Sequence, residues 1–146
     1  MPFDVSYSVV LNVHIAAFFF SIACVIIADL SGLLWMLRKW SVLPATFIYT
    51  LHYLISIGII SALVTGALLS WSTIQFLLTQ TSFWIKLSFI LALCINAFVI
   101  HKHMKLATTR TYPDVTKSER KILFISGAIS TISWIGVFVS AQFLGL

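Results

Sequence analysis

Four apolar stretches, each about 20 residues or longer, limit what this chain can become more than any other feature: about Val9 to Met36, Leu43 to Leu69, Phe83 to His101 and Ile122 to Phe143. A run of that length crosses a hydrocarbon core of roughly 30 Å as a helix. The charge content leads to the same conclusion. Only 9% of residues are charged and 60% are hydrophobic, whereas a water-facing domain carries roughly 25% charged residues. The expected fold is all-α, an integral membrane four-helix bundle running up-down-up-down, with residues 1–146 forming a single domain.

The formal charge of +5 does not mark a nucleic-acid binder, because the basic residues flank the apolar stretches without forming an interleaved basic and aromatic surface. Their distribution reports topology. Arg38 and Lys39 lie between spans 1 and 2, and Lys102, Lys105, Arg110, Lys117, Arg120 and Lys121 lie between spans 3 and 4. The connection from Trp71 to Ser82 has no charged residue. The positive-inside rule then places both basic connections in the cytoplasm and both termini on the non-cytoplasmic side, as expected for a multi-pass protein of the inner membrane. Tyr7, Trp71 and Trp84 fall near the expected outer interface, and Trp35, Trp40 and Tyr112 near the inner one. The start Met1-Pro2-Phe3-Asp4 lacks a basic leader region, which argues against a removable signal peptide. Tyr112-Pro113-Asp114 reads as a turn, and Thr116-Lys117-Ser118-Glu119 as a capping box that starts the last helix.

Ionisable side chains at membrane depth cost roughly 2.5 to 3.5 kcal/mol for a central Asp, Lys or Arg, so each is a candidate for function. They are His14 and Asp29 in span 1, His52 in span 2, and Lys86 and His101 in span 3, with Asn96 as a neutral companion. Helical periodicity places His14, Phe18, Ser21, Val25, Asp29 and Gly32 on one stripe. Lys86, Leu93, Ala97 and His101 fall within a sector of about 80° by the same arithmetic. In span 4, Ser126, Ser130, Ser133, Val137 and Ser140 share a face beside Trp134.

Depth divides the polar groups into two layers, His14 with Lys86 outside and Asp29 with His52 and His101 inside. Each fifteen-residue step, from His14 to Asp29 and from Lys86 to His101, corresponds to roughly 22 Å along a helix. His103, beside Lys102, reads as an edge residue among headgroups. The span 4 serines and the group Gly58, Ser61 and Thr65 read as packing surfaces, where small residues let helices approach.

Haem b is the cofactor that best suits histidines projecting from facing membrane helices, since an imidazole nitrogen supplies an axial iron ligand. His52 and His101 are the expected pair of metal ligands. His14 is a further cofactor-binding candidate, with no second histidine at its level. Arg38, Lys39, Lys102 or Lys105 would neutralise the propionates. Covalent attachment is excluded because no CxxCH is present. A zinc site from His52, His101 and Asp29 ranks lower, since no HxxxH or HExxH pair pre-forms the geometry.

His14 early in span 1, Leu30-Ser31-Gly32-Leu33-Leu34 followed by basic residues, and Trp84-Ile85-Lys86-Leu87 opening span 3 resemble small membrane proteins of the HemJ-type protoporphyrinogen oxidase group. The resemblance covers mainly spans 1 and 3. It implies an all-helical b-haem protein that oxidises protoporphyrinogen, with His14 and Lys86 in the positions important for activity. Where that family has a histidine near the middle of its third span, this chain has Asn96 and Ala97. Ser130-Thr131-Ile132-Ser133-Trp134 also resembles a Ser-x-x-Ser-Trp element of four-span bacterial proteins.

The leading expectation is therefore a haem b membrane protein in redox chemistry, an electron carrier or an oxidoreductase acting on a porphyrin-like substrate. His14, Lys86 and Asp29 are its candidate catalytic groups. Its expected surroundings are a lipid bilayer and a redox partner, with self-association into a homo-oligomer as a further option. Two other readings stay open. One is a proton-coupled transporter or permeation unit using Asp29, Lys86 and the histidines, and the other is a non-catalytic subunit whose small-residue faces bind larger proteins.

Overall fold

The computed structural model describes residues 3–143. Four of its helices are long and apolar enough to cross a membrane. The elements are α1 (Phe3–Met36), α2 (Ala45–Ser70), the single turn α3 (Ile74–Leu77), α4 (Thr81–Thr109) and α5 (Lys117–Gln142), with 3-10 turns at Trp71–Thr73 and Tyr112–Asp114. The fold is the expected all-α bundle. The helices outrun the hydropathy limits: α4 continues to Thr109 rather than ending near His101, and α1 begins at Phe3. Hydropathy reports where lipid ends, whereas Lys102, Lys105 and Leu106 are good helix formers that carry the helix beyond it.

Local chemistry explains the ends. Thr116 Oγ1 accepts the Glu119 backbone N–H at 3.3 Å, and Glu119 Oε2 accepts the Thr116 backbone N–H at 2.9 Å, which forms the expected capping box of α5. The C-terminus of α1 closes as a Schellman motif, with Arg38 N–H bonded to the Trp35 carbonyl at 3.0 Å and Lys39 N–H to the Leu34 carbonyl at 2.9 Å. Arg38 takes the left-handed position of that motif, at φ 58°, where glycine is usual.

The bundle is built from two tightly packed hairpins, α1 with α2 and α4 with α5. Each close approach requires a glycine. A Cβ at Gly58 in α2 would collide with Ser21 Oγ of α1, and one at Gly136 in α5 would collide with the Phe89 ring of α4. Ser126, Ser130, Ser133, Val137 and Ser140 are all buried, as their shared face predicts. Several hydroxyls bond to their own helix: Ser21 donates to the Ala17 carbonyl and Ser140 to the Gly136 carbonyl, both at 2.7 Å. A hydroxyl used this way packs as a small residue.

Between the hairpins, Val25, Leu93, Trp134 and Val137 form a central apolar cluster. Phe18 of α1 lies 5.5 Å from the Trp134 ring of α5. A second cluster, Trp35, Leu43, Ile48, Met104, Ala107 and Val115, closes the end that carries the basic connections. Two hydrogen bonds cross there, Leu43 N–H to the Ala107 carbonyl at 2.9 Å and Trp35 Nε1–H to the Arg110 carbonyl at 3.1 Å. Trp35 is 2% exposed and is therefore a core residue, not the interfacial anchor that its position suggested. Its tilt across the end of the hairpin finds an acceptor inside the protein, so the indole has no need of headgroups. Tyr112 joins the same cluster, edge-on to Trp35 at 5.3 Å and beneath the Arg120 guanidinium at 4.6 Å. Trp71 and Trp84, at the uncharged end, are exposed as expected.

Candidate functional site: a cavity between two hairpins

A cavity of about 590 Å³ lies between the hairpins, bounded at the basic end by the Trp35 cluster. All four long helices contribute walls, which are mainly apolar, with Asp29, His52, Asn96 and Thr131 among the polar residues that line it. This volume falls in the range of about 300 to 1,000 Å³ usual for ligand and cofactor sites. Asn96 is committed to structure. Its Nδ2 donates to the Ser126 carbonyl at 2.9 Å and its Oδ1 accepts the Ser126 hydroxyl at 2.7 Å, fastening α4 to α5.

The expected inner layer is divided between two flanks. On the α2–α4 flank, the imidazoles of His52 and His101 stack with ring centroids 5.3 Å apart and planes inclined by 30°. His52 is half-buried and lines the cavity, while His101 is exposed on the outer side of the same seam. Among the described residues, neither ring has a hydrogen-bond partner, so their nitrogens are not committed to holding the fold. His103 differs, because its Nδ1–H donates to the Val99 carbonyl at 2.8 Å, one turn back on its own helix.

Asp29 goes to the other flank. Its carboxylate lies against α5, where the Thr131 hydroxyl is 3.5 Å from Oδ2 and 3.1 Å from the Gly127 carbonyl. That single proton serves two acceptors, and Asp29 has no ion-pair partner among the described residues. The zinc set of His52, His101 and Asp29 is therefore not assembled. Among the described residues, no three His, Cys, Asp or Glu side chains gather as a metal site. Depth arithmetic puts the three at one level but does not say which neighbouring helix each side chain meets. The same limit hid Thr131, which the sequence offers only as one more hydroxyl.

At the outer level, His14 is tied to α2. His14 Nδ1 lies 2.9 Å from Thr65 Oγ1, whose own proton goes to the Ser61 carbonyl at 2.7 Å. The threonine hydroxyl thus lies between the His14 ring and the Ser61 carbonyl and ties the imidazole to α2. Gly66 makes room for this ring, since a Cβ there would stand 3.2 Å from His14 Cε1. Lys86 of α4 is half-buried and has no hydrogen bond or ion pair among the described residues. His14 and Lys86 lie outside the main cavity, and His14 has no histidine partner there. No family model, curated protein or solved structure matches this chain.

Proposed function

We propose that this protein is a b-type haem protein of the membrane, with His52 and His101 as axial ligands and redox chemistry as its role. The observation that carries this reading is the imidazole pair itself: two uncommitted rings from different helices, 5.3 Å apart, with His52 at the wall of an apolar cavity and His101 outside it. The stacked rings turn their faces toward each other, so both side chains would rotate about χ1 and χ2 to present a nitrogen to one iron. The apolar walls suit a macrocycle. Lys102 and Lys105, on α4 just beyond His101, would neutralise its propionates. The resemblance of spans 1 and 3 to the HemJ-type group adds support, with His14 and Lys86 as a separate polar pair for substrate. The basic end faces the cytoplasm in this reading.

The test is an absorption spectrum of detergent-purified protein after haemin loading. A Soret band that shifts on reduction is expected, and His52→Ala and His101→Ala should each change it to a five-coordinate or haem-free spectrum. A wild-type protein that takes up no haemin overturns the proposal. Unchanged spectra in both variants would move ligation to His14.

A further inference from the structure

The cavity has one open side. Six of the residues that line it are exposed: Asp29, Leu33, Phe124, Ala128, Thr131 and Ile132. All six are on α1 or α5, whereas every lining residue on α2 and α4 is buried or half-buried. The opening therefore lies in the α1–α5 seam, partway along two apolar helices, where the surroundings are hydrocarbon. Two glycines keep it clear. A Cβ added at Gly32 of α1 or Gly127 of α5 meets nothing within 4 Å, in contrast to Gly58 and Gly136, where it would collide. Gly32 lies one turn from Asp29, and Gly127 one turn from Thr131, on the same helix faces.

We propose that the α1–α5 seam is a lateral port through which an apolar molecule dissolved in the bilayer, carrying a phenolic hydroxyl, enters the cavity and donates a hydrogen bond to Asp29. The position of the opening sets the source of the ligand, since only a molecule already in the hydrocarbon arrives there. The polar atoms set its head. Asp29, charged or neutral, keeps an accepting oxygen served only by a long contact to Thr131, so a ligand that donates answers it. In hydrocarbon a neutral hydroxyl is brought in far more cheaply than an ammonium ion. The walls set its body, because the Phe124 ring at the mouth and the Trp134 ring deeper inside favour a ring against their faces. The port opens on the flank opposite the imidazole pair into the same cavity, so the phenol enters the chain when no macrocycle fills that space.

Binding of para-octylphenol to the full chain in phosphatidylcholine nanodiscs, measured against empty discs, tests the port, with para-octylanisole as the probe that cannot donate. One saturable site per chain is expected for the phenol, with the anisole about tenfold weaker. Asp29→Ala should bring the phenol down to the level of the anisole. Gly127→Leu should abolish the site, with helicity checked by circular dichroism; if that variant does not fold, Asp29→Ala alone decides. Equal binding of the two probes, no saturable binding, or wild-type binding by a folded Gly127→Leu overturns the proposal. The assay contains no haem, so its outcome and the haemin spectrum are read separately.

Discussion

The interfaces within the hairpins and the seam between them use the same residue types for opposite purposes. Inside the α1–α2 hairpin, Gly58 is a point of contact, filled by Ser21. In the α1–α5 seam, Gly32 and Gly127 are gaps that nothing fills. The polar groups divide in the same way: Asn96 and Ser126 satisfy each other within a hairpin, while Asp29 and His52 face the shared space with capacity to spare. The difference shows that a glycine in a membrane helix cannot be interpreted from sequence alone. What stands opposite it decides whether it packs a helix or hollows out a site.

Three substitutions would break or sharpen this contrast, each read by reversible unfolding in bicelles. Gly58→Leu should have the largest effect, a loss of about 3 kcal/mol, because Ser21 and the α1 backbone behind it must give way. A loss below about 1 kcal/mol would mean that the hairpin is not closely packed at this point. Asn96→Ala should cost about 2 kcal/mol by stripping the buried Ser126 hydroxyl of its acceptor. Gly32→Ala should act in the opposite direction, with a gain of about 0.5 to 1 kcal/mol, since the helix loses a glycine and no atom is displaced. A destabilised Gly32→Ala would show that the seam is closed in the membrane.

Much of the fold was legible because it depends on one helix at a time. The span 4 serine face was read from periodicity and is buried. The capping box at Thr116 was read from four consecutive residues and is formed. Rise along a helix also placed His52 and His101 at levels close enough for their rings to meet. Legibility failed wherever the answer depended on a second helix. Asp29 shares a depth with the histidines but is turned toward α5, and Thr131 gave no sign of being its partner. Trp35 read as an anchor because the Arg110 carbonyl that captures its indole is 75 residues away.

The two bonds that cross at the basic end, Leu43 to Ala107 and Trp35 to Arg110, join one hairpin to the other through backbone carbonyls. The hairpins are thus like the boards of a book, sewn along one edge. Toward the uncharged end the hairpins meet through side chains alone, Phe18 against Trp134 and Phe138, so the backbone ties are confined to one edge. Crosslinks near Phe18 and Phe138 would add a covalent tie where only ring stacking joins the hairpins, whereas crosslinks near Trp35 would fix what backbone bonds already hold.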